Sequence, residues 1–242
     1  MKAIHVAALA LNAALYVAVG ILFYSVMPVR FEGVRFWPPV VVPAVFAVFF
    51  GPWVGGIGAA IGIFFSDIIL GNDPLLSLMA GITSNFTMFF LIGYLSRKKT
   101  GWIAPTLIYG IITVFLAWIA YVYAGIFWVG VVVGSYVVFL VLALLKLKWQ
   151  NYEFASVTGL LVGSAIIGAM VPLYAYLFTQ VGQTPIASFT LAGGLALFIF
   201  TFATEIPFLL ILGPPIIEAV YRAFPNLSNQ KMLEEHKSEK NR

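Results

Sequence analysis

Long, unbroken runs of apolar residues separated by short polar segments dominate the chain. Each run is at least about 20 residues long, which is the length an α-helix needs to cross the hydrocarbon core of a bilayer. The runs lack the apolar–polar alternation of outer-membrane β-strands. They span residues 3–27, 38–70, 75–96, 102–123, 126–145, 155–178 and 189–221. The pattern predicts an all-α, polytopic transmembrane helix bundle.

The second run, residues 38–70, is too long for one span, since about 33 helical residues measure about 50 Å. Gly51-Pro52-Trp53 interrupts this run near its middle. It therefore forms either one strongly kinked helix or two spans that meet at the Gly-Pro pair, the first of them short. The split interpretation gives eight spans in total, and the kinked interpretation gives seven.

The distribution of basic residues favours the split interpretation. With a cytoplasmic N-terminus and eight spans, every Lys and Arg except Arg30 and Arg35 lies on the cytoplasmic side, in agreement with the positive-inside rule. A kinked helix would place the basic cluster at 97–99 outside. We therefore predict eight spans with both termini inside. They form a single transmembrane domain over residues 1–224, followed by a polar cytoplasmic tail over residues 225–242.

Composition excludes most other classes of protein. Hydrophobic residues make up 62% of the chain, charged residues 9%, and the mean hydropathy is +1.03, whereas soluble domains carry about 25% charged residues. Lys and Arg at the cytoplasmic ends of the spans account for the net charge of +4, so no nucleic-acid partner is expected. The absence of cysteine excludes disulfides and thiolate sites. Without HExxH, GxSxG or phosphate-loop motifs, we expect no enzymatic activity, no metal site and no cofactor.

Two acidic residues lie inside predicted spans or at their edges. A charged side chain at the centre of a transmembrane helix costs about 2.5–3.5 kcal/mol, so charged residues in spans are rare and commonly mark a functional site. Asp67 precedes the turn residues 71–74, and it is either a ligand contact or a hydrated interfacial carboxylate. Glu205 lies beside Pro207, which removes a backbone donor; it contacts a ligand or pairs with a hydrogen-bond donor for packing. Asn85 either contacts a ligand or joins helices.

Small residues recur at helical spacing on two of the predicted spans. Glycines at 51, 55, 58 and 62 allow close packing of the third span within the bundle. On the first span, Ala3, Ala7, Ala10 and Ala14 form a stripe. This alanine stripe either packs internally or docks another membrane protein.

Three segments, taken in order, are similar to those of a known family. Residues 10–14 (ALNAA) carry an AxxxA-type pattern, and residues 43–67 place the Gly-Pro break before a glycine-rich helix that ends in an aspartate. Residues 80–86 (AGITSNF) begin a helix with a basic end. These segments resemble the substrate-binding S components of energy-coupling factor (ECF) transporters, which capture vitamins and related micronutrients for prokaryotes. The last forty or so residues match the family more loosely.

The resemblance implies a prokaryotic plasma-membrane protein that works with a separate membrane scaffold subunit and two cytoplasmic ATPases. Ala10 and Ala14 would dock on the scaffold, and a small, water-soluble vitamin-like substrate would bind near the outer side. The expected substrate contacts are Arg30, Arg35, Trp37, Asp67, Asn85 and Glu205. Because the family usually has six spans, eight spans imply an extra pair within residues 102–178.

Residue chemistry alone leaves alternatives open. Aromatic residues of the first loop can stack on a flat heterocycle, but they also suit an interfacial belt. The arginines favour an anionic group and the acids a cationic one, which a zwitterionic vitamin would satisfy. An ion-coupled secondary transporter using Glu205 and Asp67 is the first alternative, although the sequence shows no convincing internal repeat. A non-catalytic membrane scaffold is the second alternative.

Overall fold

The computed structural model describes residues 3–31, 33–98, 103–145, 150–178 and 190–224. The predicted tail over residues 225–242 lies outside the described residues, as do Lys2, Lys99, Lys146 and Lys148. In the described part of the chain, seven helices are long and apolar enough to cross a membrane. The chain is therefore a multi-pass membrane protein, and the prediction of an all-α transmembrane helix bundle is confirmed at that level.

Helices and one short hairpin build the described part of the chain. The helices are α1 (Ala3–Val26), α2 (Val41–Phe50), α3 (Pro52–Ile69), α4 (Pro74–Leu76), α5 (Thr83–Leu95), α6 (Ile103–Tyr123), α7 (Ile126–Leu145), α8 (Gln150–Phe178) and α9 (Leu191–Ala223). The strands are β1 (Arg30–Phe31) and β2 (Val34–Arg35), and a 3₁₀ turn, Pro38–Val40, leads into α2. A π-helical turn, Ser77–Ile82, joins α4 to α5 in one continuous helix.

Gly51 separates α2 from α3. Its φ of 97° is disfavoured for residues that carry a side chain, and Pro52 takes the first helical position of α3, where a missing N–H is harmless. Gly93 of α5 packs directly on this junction, since a Cβ there would lie 2.7 Å from the Pro52 Cα. Residues 38–70 therefore form two helices. With 10 residues, α2 is about 15 Å long, or roughly half of the hydrocarbon core.

Two glycines of α3, Gly58 and Gly62, pack against α1. A Cβ on Gly58 would overlap the Asn12 amide, and a Cβ on Gly62 would lie 2.9 Å from the Tyr16 ring. Asn12 in turn donates a hydrogen bond to the Val54 carbonyl over 3.0 Å. Hydrogen bonds of this kind between membrane helices contribute about 0.6 kcal/mol on average. Asn12 therefore joins helices, and the glycines allow the two backbones to come close.

Helix α8 lies against both α5 and α9. Ser84 of α5 donates a hydrogen bond to the Gly163 carbonyl over 3.0 Å. On the other side, a Cβ on Gly168 would lie 2.6 Å from the Gly194 oxygen of α9. Only glycine permits such a close approach of backbones, so small residues set the position of α8.

Helices α6 and α7 form a helical hairpin that packs on α9. Gly125, with φ 97°, forms the turn between them. The buried ring of Tyr109 meets Tyr136 and Phe139 edge-on, with ring centroids 5.2 and 5.0 Å apart. Helices α6 and α7 both lie within residues 102–178, the region in which the resemblance implies helices beyond a six-span core.

Candidate functional site

A polar cavity of about 80 Å³ lies between α1, α3, α5, α8 and α9, under the β1–β2 hairpin and beside the π-helical turn. The side chains that give it chemical character include Tyr16, Arg35, Asp67, Asn85, Ser164 and Glu205. Polar and ionisable groups inside a membrane bundle are costly and are commonly functional. This cavity, called the polar cavity below, is the candidate functional site.

Trp37 anchors the β1–β2 hairpin over the polar cavity. The two strands pair in antiparallel fashion, and Gly33 supplies the positive φ, 83°, of their turn. Trp37 follows the hairpin and is only 3% exposed; its ring meets Tyr16 edge-on, with centroids 6.2 Å apart. A Cβ on Gly20 would overlap the indole. The absence of a side chain at Gly20 therefore creates the space into which Trp37 fits.

A buried ion pair between Arg35 and Asp67 ties the hairpin to α3. Asp67 also accepts hydrogen bonds from Asn72, over 3.0 Å, and from the Ser77 hydroxyl. The Arg35 guanidinium lies 4.5 Å from the centre of the Trp37 ring, in cation–π geometry. Burial lowers the pKa of Arg35 below its usual value, and the neighbouring Asp67 carboxylate offsets only part of this effect. Arginine nevertheless stays protonated in proteins. Both charges of the pair are therefore engaged within the protein.

Asp73 begins the helix that carries the π-helical turn. Its carboxylate accepts hydrogen bonds from the backbone N–H groups of Leu75, over 2.7 Å, and Leu76, over 3.1 Å, with Pro74 at the first helical position. Burial raises the pKa of Asp73, but hydrogen bonds from the Leu76 N–H, the Tyr174 hydroxyl and the Leu75 N–H bring it below its usual value. Asp73 is thus an N-cap at the rim of the cavity.

The π-helical turn, Ser77–Ile82, shapes the floor beside Asp67. A Cβ on Gly81 would lie 3.0 Å from an Asp67 carboxylate oxygen. The Gly81 carbonyl accepts a hydrogen bond from the Asn85 amide over 2.9 Å, and the Asn85 oxygen accepts one from the Tyr16 hydroxyl over 2.7 Å. This chain of bonds fixes the orientation of the amide. π-helical turns are frequent at functional sites, and here the turn brings α5 into contact with α3.

Helices α8 and α9 contribute polar atoms that lack protein partners. Among the described residues, no hydrogen-bond partner is found for one Glu205 carboxylate oxygen, the Thr201 hydroxyl or the Ser164 hydroxyl, and all three are buried. Two residues beyond Glu205, Pro207 has no N–H to donate to the Ala203 carbonyl. Because buried polar groups are almost always hydrogen-bonded, this wall of the polar cavity is suited to hold a polar molecule.

The structure brings together most of the residues expected to contact substrate. Those lining the polar cavity are Arg35, Trp37, Asp67, Asn85 and Glu205. Arg30 lies apart, because its side chain is exposed and donates a hydrogen bond to the Tyr24 hydroxyl. Sequence reasoning missed Tyr16, Ser164 and Thr201. Thr201 is four residues before Glu205 and so shares its helix face, a signal that could have found it; a single tyrosine or serine in a span carries no such signal.

An apolar groove of about 530 Å³ lies toward the other end of α1, between α1, α2 and α9. Its lining includes Ile4, Ala7, Leu11, Val45, Phe49 and Val220. The alanine stripe borders this apolar groove, and Ala10 and Ala14 are exposed on the adjacent face of α1. Of the two interpretations of the stripe, internal packing does not apply to these two alanines.

Glu153 is another buried acid, which sequence reasoning missed. It lies in the first turn of α8, where a negative charge interacts favourably with the helix dipole, and neither carboxylate oxygen has a hydrogen-bond partner among the described residues. Glu153 does not line the polar cavity. Within the described ranges, no group of three or more His, Cys, Asp or Glu side chains is placed to hold a metal ion.

Comparisons with protein-family models, with curated proteins and with solved structures found no match. These comparisons supply no role for any residue of the polar cavity or the apolar groove.

Proposed function

We propose that the protein is the membrane-embedded substrate-capture (S) component of an ECF-type importer. It binds a small water-soluble vitamin or related micronutrient on the outer side and delivers it inward with a separate scaffold subunit and two ATPases. One observation carries this proposal: a polar cavity in which buried groups of Ser164, Thr201 and Glu205 have no partner among the described residues. Polar atoms of a captured molecule would satisfy them.

The basic residues support an orientation with the polar cavity outside. Arg97 and Lys98 follow α5, and Arg222 lies in the last turn of α9. A Cβ on Gly51 would lie 3.1 Å from the Arg97 guanidinium, which places this cluster at the apolar-groove end. Cytoplasmic ends of spans carry the excess of Lys and Arg. The groove end is then cytoplasmic, both termini lie inside, and the short segment Pro38–Phe50, which includes α2, is the eighth crossing.

The β1–β2 hairpin acts as a lid in this proposal. A volume of about 80 Å³ is well below the roughly 300 Å³ at the lower end of pockets for drug-sized ligands. A vitamin-sized molecule would therefore enter only when the hairpin moves away. This movement would break the ion pair between Arg35 and Asp67 or remove Trp37 from its position beside Gly20. On the cytoplasmic half of α1, exposed Ala10 and Ala14 offer the scaffold a close approach.

Mass spectrometry of small molecules released on denaturation tests the capture function. Protein purified from its native membrane should yield a stoichiometric water-soluble micronutrient, because a capture protein retains its substrate through purification. The Glu205→Gln variant should retain less, and Glu218→Gln, the same chemical change on the same helix but away from the polar cavity, should retain as much as the wild type. Release of lipid alone from folded protein contradicts the proposal.

An ion-coupled secondary transporter is the second candidate, because two buried acids, Asp67 and Glu205, line one cavity. Uptake of the released molecule into cells separates the two mechanisms. An ECF importer stops when ATP is depleted while the ion gradient is maintained. A secondary carrier stops when the gradient is collapsed while ATP is maintained. The first result supports the proposal, and the second replaces it with the ion-coupled carrier.

A further inference from the structure

The polar cavity is lined by more acidic than basic side chains. Among the described residues that line it, Arg35 is the basic one, and its charge is already paired with Asp67. Asp67 is engaged as well, because Asn72 and Ser77 also donate to its carboxylate. Positive and negative charges cancel within this pair. The expectation that two arginines would hold an anionic group loses its basis, since Arg30 lies outside the cavity.

Glu205 is left without a counter-charge. It is 5% exposed, and the salt bridges found among the described residues do not include it. The nearby Tyr16 hydroxyl is committed to Asn85. Asp73, a further carboxylate, stands at the rim. An ionised carboxylate buried alone is strongly disfavoured, and a cation of complementary shape offsets that penalty.

We propose that the polar cavity selects a compact cation, such as a protonated amine or amidine on a single ring. This inference rests on the proposed capture function and specifies its substrate class. The cationic N–H groups bind Glu205, with the Thr201 and Ser164 hydroxyls accepting further hydrogen bonds. The Arg35 nitrogen that has no partner among the described residues donates to a neutral acceptor of the same molecule.

Three ring compounds of nearly equal shape and different charge test the inference. Benzylammonium, benzyl alcohol and benzoate are titrated separately against the full chain in lipid nanodiscs, with binding measured by isothermal titration calorimetry at pH 7. The dissociation constant of benzylammonium should be at least about tenfold lower than that of benzyl alcohol, as expected for a hydrogen bond to a charged group. Benzoate should bind most weakly.

Variants then assign the preference to one residue. Glu205→Gln should remove the tenfold preference for benzylammonium, and Glu218→Gln should keep it. The order of the three probes on the wild type decides the inference even where Glu205→Gln does not fold. The inference is overturned if benzoate binds most tightly, if all three probes bind equally, or if none of them binds. It is also overturned if the preference for benzylammonium survives Glu205→Gln.

The molecule released from native membranes separates this inference from the capture function beneath it. A released compound that is cationic at pH 7 supports both. A neutral or anionic micronutrient overturns the cation selectivity and leaves capture standing. Release of lipid alone, combined with tight benzylammonium binding in nanodiscs, overturns capture and leaves a cation site in place.

Discussion

The two ends of the bundle share helices but differ in chemistry. At the hairpin end, α1 and α9 contribute Tyr16, Thr201 and Glu205 to the polar cavity. Toward the opposite end, the same two helices contribute Leu11 and Val220 to the apolar groove. Directional hydrogen bonds and a buried ion pair fix the positions of the side chains in the cavity, whereas the apolar contacts in the groove do not fix the orientation of a bound molecule. The cavity is thus suited to recognise one molecule, and the groove to adapt to an apolar surface.

The two ends also differ in what they cost the fold. Polar groups enclosed in a membrane bundle are expensive unless they are paired. An apolar groove costs little in a bilayer, because lipid tails are as apolar as leucine. We therefore expect substitutions at the polar cavity to change stability and substrate binding together. Substitutions at the groove end should change association with a partner and leave stability nearly constant.

The largest effect is expected from Asp67→Asn. The substitution leaves the Arg35 guanidinium buried without its counter-charge, and removal of one partner of a buried ion pair costs about 3–5 kcal/mol. The free energy of unfolding, measured by chemical denaturation in detergent micelles, should fall by that amount. Asp73→Asn, at the exposed rim, is the control and should change stability by less than about 0.5 kcal/mol, because asparagine caps helices as well as aspartate does.

A double variant tests whether the loss comes from an unpaired charge. Arg35→Met combined with Asp67→Leu removes both charges, and replacement of a buried pair by apolar residues is often nearly neutral. The double variant should therefore be more stable than Asp67→Asn alone. If it is equally unstable or less stable, the loss does not come from an unpaired charge, and the ion pair itself stabilises the packing of the hairpin on α3.

A substitution at Gly20 should have the next largest effect. In Gly20→Ala the new Cβ overlaps the Trp37 indole, and overpacking of this kind costs about 1–3 kcal/mol. Gly130→Ala makes the same change in α7, where nothing lies within 4 Å of the added Cβ, and should stabilise the helix by about 0.5–1 kcal/mol. Thermal unfolding of the pair in one detergent measures the contrast. Equal shifts would show that Trp37 moves aside without loss.

The sequence predicted the helices far better than the polar contacts between them. Continuous apolar runs reveal spans because every helix in a bilayer needs them, and Gly51-Pro52 marked the end of α2. The carboxylates Asp67 and Glu205 stood out because charges are rare in spans. The pairing of Arg35 with Asp67, across 32 positions, depends on how the hairpin folds back over α3. The pattern of neighbouring residues in the sequence carries no information about how the hairpin folds back.

Loss of the helix cap at Asp73 should have a smaller effect. Asp73→Ala removes the acceptor for two backbone N–H groups and should cost about 1 kcal/mol at pH 7. Because the pKa of Asp73 is lowered in the folded protein, its carboxylate stabilises the fold above the usual aspartate pKa of about 3.9 and stops doing so as the pH falls through the lowered value. The stability difference from Asp73→Ala should therefore shrink under acid conditions, which denaturation curves at pH 7 and pH 3 would measure.

The smallest effect on stability is expected at the groove end. In Ala14→Leu the new side chain extends from an exposed position of α1, so the free energy of unfolding should change by less than about 0.5 kcal/mol. Binding of benzylammonium should stay constant, since Ala14 does not line the polar cavity. Co-purification with an ECF scaffold subunit should nevertheless be lost, because a larger side chain prevents close approach of helices. Ala104→Leu, at an exposed alanine of α6, is the matched control and should keep the complex. If Ala14→Leu retains the scaffold while binding at the cavity weakens, the two ends are not functionally separate, and docking occurs elsewhere on the bundle.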